Sequence, residues 1–281
     1  MTDVSIILPA NNEAGYIGPC LQAVRCQQMG ALRGQVIVAA NACTDTTVEE
    51  AEALRSGLED AGWRLRVLDL PRPGKVAALN EADRLAAGDV LIYLDADVVM
   101  ELGMIAALYA VLSSDAPRYA SGQLRVARAA SWVTRRFGAV WQRLPFMTTN
   151  VQGAGLFAVN RAGRARWGAF PDIIADDAYV RLLFAPDERV QVSPGYSWPL
   201  VEGFARLVKV RRRQDAGVRE LAARYPGIMV NESKPPMRLR DHLALLTRVP
   251  VSYVVYVSVM IAVKLGPRGS EGRSEGWTRG R

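Results

Sequence analysis

One histidine in 281 residues, His242, leaves little room for imidazole chemistry. It excludes an H-E-x-x-H zinc protease and a histidine-rich metal cage, and gives a Ser-His-Asp triad a single possible base. A general base, if there is one, is therefore expected to be a carboxylate. Cysteine is nearly as scarce. Cys20, Cys26 and Cys43 are an odd number without C-x-x-C spacing, which argues against a disulfide framework or zinc ribbon and for a reducing compartment. Long apolar runs are missing too. The most apolar candidate, the uncharged stretch 249–263, lies between Arg248 and Lys264. As a helix it would measure roughly 22 Å against about 30 Å of hydrocarbon. It reads as a buried core segment or as an interfacial stretch with basic flanks. The chain runs from Met1-Thr2-Asp3 directly into an apolar segment with no basic n-region, so a cytoplasmic location is expected.

Half of the residues are hydrophobic and 22% are charged, which places the chain among globular proteins able to bury a sizeable core. The length suits one α/β domain with an appended segment. A net charge of +7 favours phosphates, anionic lipid or nucleic acid, without discriminating among them.

Residues 4–8 (VSIIL), 35–40 (QVIVAA), 64–68 (RLRVL) and 89–94 (DVLIYL) are short, β-branched-rich runs that read as buried strands. Residues 15–29, 46–61 and 75–87 between them have helical composition, the second preceded by Thr44-Asp45 as a cap. Strict alternation of this kind predicts an α/β fold with a parallel, doubly wound sheet, ligands binding at the carboxyl ends of the strands. A helix is expected over 101–112, then a basic stretch with Trp132 and Trp141, a strand over 155–159, and a short helix from Asp176-Asp177. Residues 204–213 (FARLVKVRRR) mix apolar and basic positions. No repeat is visible, and the Gly/Ser/Arg/Glu stretch 266–281 is expected to be disordered.

Asp95-Ala96-Asp97 directly follows a predicted strand. Residues i and i+2 point the same way in an extended or turning chain, so both carboxylates can address one hard divalent cation beyond the sheet edge. Such a pair also occurs by chance and caps helices. Asp176-Asp177 stands at a turn-to-helix transition, where an acidic pair is either an N-cap or a source of a general base. Gly74-Lys75 opens a helix and can present a cation to phosphate, but Val76 and Asp69 stand where a P-loop needs Ser/Thr and Gly. The run Arg206, Lys209, Arg211, Arg212, Arg213 is either a solvated face or a means of neutralising a diphosphate or anionic lipid.

Together these residues resemble the family 2 glycosyltransferases with the GT-A fold. VSIILPANNEAGYI is similar to that family's first-strand motif, NACTDTT to its second-strand loop, GKVAALN to its third helix start and YLDADV to its D-x-D. QGAGLFAVNRAGRARWGAFPDIIADDAYVRL resembles the acceptor-side block that ends in the acidic pair. The likeness covers about residues 4–183. It implies a Rossmann-like, mostly parallel sheet with helices on both faces over residues 1–200, the nucleotide half about 1–100 and the acceptor half about 101–200, followed by a basic and apolar helical extension over 201–265. It also implies that Pro9, Asn12 and Glu13 border the nucleoside, Asn41 and Asp45 belong to the base-side loop, Lys75 lies near the nucleotide, Asp95 near ribose and metal, Asp97 on the metal, and that Asp177 is the base.

The implied reaction is inverting transfer from a nucleotide-diphosphate sugar, with Mg²⁺ or Mn²⁺, to an acceptor hydroxyl in polysaccharide or glycolipid assembly. The implied partners are the nucleotide sugar and a saccharide or lipid-linked acceptor, with peripheral contact at the inner membrane face and no nucleic acid. The sequence departs from the family pattern at Ala40-Asn41, where two aspartates are common, at Asn11, where an aromatic is common, and at Asp176, where Glu is common. The first departure leaves the nucleobase open, because an amide both donates and accepts. Arg166-Trp167 precedes the acidic pair and Gly163 occupies the Gln position, so the Q-x-x-R-W signature of processive members is missing and one sugar per acceptor is expected. Two other readings compete. A sugar-phosphate nucleotidyltransferase would need a G-x-G-x-R start where Ala10-Asn11-Asn12-Glu13 stands, and a non-catalytic nucleic-acid or lipid binder leaves both acidic sites unexplained.

Overall fold

The structure is a computed structural model that describes residues 2–148 and 151–266; of the stretch expected to be disordered, all but Gly266 lies outside the described residues. Its first hundred residues alternate as predicted: β1 (Val4–Ala10), α1 (Ile17–Arg25), β2 (Gly34–Asn41), α2 (Thr47–Glu52), α3 (Arg55–Asp60), β3 (Trp63–Leu70), α4 (Lys75–Asp83) and β4 (Val90–Leu94). The segment expected as one helix over 46–61 is two. Leu54 N–H bonds back to Ala51 rather than to Glu50, tightening the turn at which the axis breaks, and Leu58 is buried on the second piece. β1 pairs in parallel with β2 and β4, and β2 with β3.

Alternating side chains divide this sheet into two apolar faces, as the period of two dictates. Ile6, Leu8, Val36, Val38 and Ile92 pack with α1 on one side, and Ile7, Ile37, Leu91 and Tyr93 pack with Ala78, Leu79 and Ala82 of α4 on the other. Fully burying a Val, Leu or Ile is worth about 1.5–3 kcal/mol, so the two layers dominate the stability of this half.

The second half departs from simple winding. β5 (Val99–Met100), α5 (Met104–Leu112), β6 (Tyr119–Val126), α6 (Trp132–Trp141), α7 (Pro145–Thr148), β7 (Leu156–Asn160), α8 (Arg161–Arg164), α9 (Asp176–Leu182) and β8 (Arg189–Trp198) follow. The sheet order is β3-β2-β1-β4-β7-β6-β8-β5. β7 runs antiparallel to β4, with Leu94 opposite Leu156, so the residues entering β7 lie beside those leaving β4. β6 and β8 run parallel with a register shift between Ser121 and Gln123, and β5 closes the edge antiparallel to β8. The sheet is mixed rather than wholly parallel, with helices on both faces.

Three helices complete the described chain: α10 (Phe204–Arg224), α11 (Leu239–Arg248) and α12 (Pro250–Leu265). They share a third core with α6, where Phe137, Val140 and Trp141 meet Leu207, Leu245, Val259 and Val263. Residues 249–263, read as either core or interfacial, lie in α12, one side of which joins the core. Val259 and Val263 are buried, while Val251, Val254 and Ile261 are more than half exposed. No described helix is long and apolar enough to cross a membrane.

Arg166, just after α8, ties that segment to the end of α9 and to the approach to β8. Its guanidinium pairs with Glu188 through both oxygens, donates to the Leu183 carbonyl at 2.8 Å and lies 4.6 Å over the Phe184 ring. The paired guanidinium holds the Glu188 carboxyl below its ordinary value. A depressed folded value means that the stabilisation is complete above the unfolded value, near 4.3, and is lost as pH falls through the folded one. Glu188→Gln is expected to lower unfolding free energy at pH 7 by about 1 kcal/mol. Urea melts of variant and wild type should converge below about pH 4; a difference independent of pH would assign the loss to packing.

Candidate active site

The loops at the carboxyl ends of β1 and β2 are built by the polar residues singled out in the sequence. Asn12 adopts a left-handed φ of 53° and its Oδ1 accepts from Thr44 N–H at 2.8 Å. Glu13 is buried, its N–H donating to Thr47 Oγ1 at 2.7 Å. Asp45 Oδ2 accepts from Ala14 N–H at 3.0 Å, and Oδ1 from Thr47 N–H at 3.1 Å and from the Thr47 hydroxyl. Burial works against the Asp45 charge, but these donors, the Thr47 hydroxyl first, hold its carboxyl below the ordinary aspartate value. Asn41 is buried with both ends of its amide engaged: Oδ1 accepts from Gly74 N–H at 2.6 Å and Nδ2 donates to the Arg72 carbonyl. Asn41 thus shapes the approach to α4 and holds Gly74-Lys75 in place.

β4 ends directly in Asp95-Ala96-Asp97. The Asp95 N–H donates to the Gly155 carbonyl at 2.8 Å, and Val98 N–H closes a turn onto the Asp95 carbonyl at 3.1 Å. Gly155 sits at φ +73°, and a Cβ there would meet Trp198 at 2.7 Å and Val98 at 2.9 Å, so both backbone and space require glycine. The antiparallel register of β7 is what brings this carbonyl to the end of β4. From the other side α9 begins at Asp176-Asp177. Lys75, the first residue of α4, joins the two: its Nζ lies 3.2 Å from Asp95 Oδ1 and 3.2 Å from Asp176 Oδ2.

Asp95, Asp97, Asp176, Asp177 and Lys75 all open on one cavity of about 700 Å³. Pro9 joins Lys75, Asp95 and Asp177 around an adjoining recess of about 30 Å³. Asn12, Glu13, Asn41 and Asp45 line neither space; they brace the loops behind it. His242 is remote from this chemistry, hydrogen-bonded through Nδ1 to the Tyr253 hydroxyl at 2.7 Å. Cys20 is buried behind the D-x-D turn, and burial, then Asp97 and Asp95, push its thiol well above the ordinary value. A thiol so held is no nucleophile.

The titratable groups of the cavity perturb one another. Burial works against the Lys75 charge, but Asp176, then Asp95 and Asp177, outweigh it and keep the ammonium protonated. Burial, then the neighbouring Asp176, raise the Asp177 carboxyl above its ordinary value, with Lys75 opposing them. Asp177 is therefore a stronger proton acceptor than a surface aspartate. Asp95 and Asp97 supply hard oxygen donors of the kind that suits Mg²⁺ or Mn²⁺. Among the described residues no three His, Cys, Asp or Glu side chains group to hold a cation by themselves. Two carboxylates fit a cation whose remaining positions are filled by water and by a ligand's phosphate oxygens.

In the remaining walls Trp141, Arg211 and Arg213 belong to stretches singled out in the sequence, whereas Trp198, Arg181, Arg219 and Lys234 do not. Trp141 and Trp198, with ring centroids 5.7 Å apart, form an apolar side. Arg181, Arg211, Arg213, Arg219 and Lys234 form a basic one. Tryptophan and arginine are frequent in 132–143, but only the fold shows which of them reach the cavity. The basic run 206–213, treated in the sequence as one patch, is divided around α10. Arg211 and Arg213 line the cavity, whereas Arg212 turns to α12 and donates to the Ala262 carbonyl at 2.7 Å and the Val263 carbonyl at 3.4 Å.

Residues 5–167 match the family model described as Glycosyl transferase family 2. Among characterised proteins the chain is similar to glycosyltransferase AglD of Haloferax volcanii, at 31% identity over 137 residues, which is 48% of this chain and 20% of that protein. The chain thus spans about a fifth of the length of that relative. Among solved structures it is similar to the mannosyltransferase PcManGT from Pyrobaculum calidifontis in complex with GDP-Man and Mn²⁺, with a TM-score of 0.57 and 22% identity over 94% of this chain and 76% of that one. It is also similar to glucosyl-3-phosphoglycerate synthase from Mycobacterium tuberculosis in complex with Mn²⁺, UDP and glucosyl-3-phosphoglycerate, with a TM-score of 0.56 and 20% identity over 78% and 79% of the two chains. At these identities the two structures establish the shared GT-A fold. With more than half of its length matched by the family model, the chain belongs to glycosyl transferase family 2.

Proposed function

We propose that the protein transfers one sugar from a nucleotide-diphosphate sugar to an acceptor hydroxyl with inversion at the anomeric carbon, in polysaccharide or glycolipid assembly. The observation that carries this reading is the convergence of Asp95-Ala96-Asp97 and Asp177 on one cavity. Asp97 and Asp95 would hold Mg²⁺ or Mn²⁺ against the donor diphosphate. Such a cation, when bound, offsets the charge that develops on the departing phosphate. The Pro9 recess and the braced loops of β1 and β2 would border the nucleoside.

Asp177 accepts the acceptor hydroxyl's proton as that oxygen bonds to the anomeric carbon. The bond from this carbon to the diphosphate breaks with its electron pair leaving on phosphate. One displacement inverts the centre, and no covalent sugar–protein intermediate forms. Lys75 holds Asp176 and Asp95 in place through its two ion pairs without itself giving up a proton. Trp141 and Trp198 offer an apolar surface to a sugar ring.

Asp177→Asn is expected to lower kcat by at least about 100-fold while donor affinity stays within about twofold. In the wild type, the acidic limb of kcat/KM should lie above the ordinary aspartate value of about 3.9, activity rising as the carboxyl loses its proton. Turnover retained in Asp177→Asn would remove the base assignment. Donor class is tested by thermal shift with UDP-, GDP- and other nucleotide sugars, with and without Mn²⁺ or Mg²⁺, since selective binding raises apparent stability. The expected result is a shift that needs the metal and disappears in Asp97→Ala; the same metal dependence in that variant would reject its role as a ligand.

We further propose that the protein works at the cytoplasmic face of a membrane, on a lipid-linked acceptor. α11 exposes Leu239, Leu243 and Leu246 at helical spacing, and α12 exposes Val251, Val254 and Ile261. Arg238, Arg240, Arg248 and Lys264 flank these faces, an arrangement that favours an anionic interface. Sedimentation with vesicles containing phosphatidylglycerol should retain the protein, and Leu243→Glu/Val254→Glu should release it. Equal recovery in the supernatant with and without vesicles would refute membrane contact.

A further inference from the structure

The cavity's charges are segregated. Asp95, Asp97, Asp176 and Asp177 stand with Lys75 at the sheet end, while Arg181, Arg211 and Lys234 face them from α9, α10 and the segment before α11, with Asp215 beside Arg211. We propose that this basic wall binds an anionic group, a phosphate or a carboxylate, carried by the acceptor close to the hydroxyl that is glycosylated.

Two buried donors carry the argument. Arg181 is 2% exposed, and its Nη2 donates to Glu232 at 2.8 Å, yet its Nη1 has no hydrogen-bond partner among the described residues. Arg211 donates through Nη1 to Gln214 at 2.9 Å and approaches Asp215 at 3.6 Å, but its buried Nε likewise has no partner among them. A buried donor left unpaired costs about 1–3 kcal/mol, so such atoms are rare in folded proteins and mark places where something binds. Local charge has the same sign. Glu232 is shared by Arg181 and Lys234, the latter at 3.5 Å, and Arg189 lies close enough to Arg181 that burial and that neighbour together push its guanidinium down to about 10. Two carboxylates, Glu232 and Asp215, among the cations Arg181, Arg189, Arg211 and Lys234 leave the wall positive.

Placement limits the ligand. Arg181 is one helical turn beyond Asp177 on α9, and long helical side chains lean back toward the N-terminus, so guanidinium and base share a face within roughly 6 Å. An anion held there places a hydroxyl only a few bonds away against Asp177. The anion itself takes no part in the bonds that change; it orients the nucleophile. The identity of the molecule bearing it rests on the glycosyl-transfer reading, whereas the anion site does not.

The test is calorimetric titration of the full chain with inorganic phosphate and then with glycerol 3-phosphate, in saturating Mg²⁺ and nucleoside diphosphate, using glycerol as the uncharged control. Phosphate and glycerol 3-phosphate should bind and glycerol should not, with Arg181→Gln, Arg211→Gln and Lys234→Gln each weakening binding about tenfold. Lys234 is exposed enough that its variant reports on binding even if Arg181→Gln fails to fold. A further arm competes glycerol 3-phosphate against vesicles containing phosphatidic acid. Displacement by vesicles that depends on the same three residues supports a lipid-borne phosphate, and indifference to vesicles supports a soluble one. No phosphate binding by the wild type, or equal binding by all three variants, overturns the proposal. If nucleotides fail to bind while phosphate still responds to the three variants, the glycosyl-transfer reading falls and the anion site stands.

Discussion

The ammonium of Lys75 stands 3.2 Å from a carboxylate on either side, Asp95 at the end of β4 and Asp176 at the start of α9. These aspartates come from segments about eighty residues apart and, with Asp97 and Asp177, crowd negative charge into one cavity. Like charges about 4 Å apart in general repel by about 4 kcal/mol at an effective dielectric of 20, so the cation between the two walls offsets a repulsion that would otherwise push them apart. Lys75 is supplied by the first turn of α4, whose start is fixed by the amide of Asn41. A residue expected near the nucleotide and one expected in the base-side loop are thereby joined in one electrostatic support. The cavity is held together from beneath.

That support is also selective about protons. It holds Asp95 and Asp176 beside a positive charge, but leaves Asp177, the next residue along, with a carboxyl raised by burial and by the like charge of Asp176. Adjacent aspartates thus have different tasks. One is a structural counter-ion, and the other is a carboxyl of raised basicity facing open space. The α9 backbone produces the difference, since consecutive residues on a helix do not share a face.

The parallel half of the fold was legible because β-branched runs and their alternating faces announce buried strands: VSIIL, QVIVAA and DVLIYL are all but continuous apolar segments. β6 and β8 carry no such mark. YASGQLRV is half polar, and RVQVSPGYSW contains a proline and a glycine that signal a turn, yet sits in the sheet through an irregular register. Asp95, Asp97, Asp177 and Lys75 could be named from local context, a strand end or a helix start. Arg181 and Lys234 could not. What distinguishes them is a common partner, Glu232, about fifty residues beyond Arg181, and no local pattern encodes that meeting. The antiparallel insertion of β7, which turns Gly155 into the support of Asp95, is equally a tertiary fact.

The division of the α10 arginines joins two regions that the sequence presents as separate. Arg212 caps carbonyls near the end of α12, while its neighbours Arg211 and Arg213 face the cavity. A cation at a helix C-terminus is well placed for the dipole and for the unsatisfied carbonyls there. α12 and the basic wall are in this way parts of one rigid strut. Whatever surface the outer side of α12 rests against sets the height and tilt at which the cavity faces it, much as a bracket fixes the angle of a shelf.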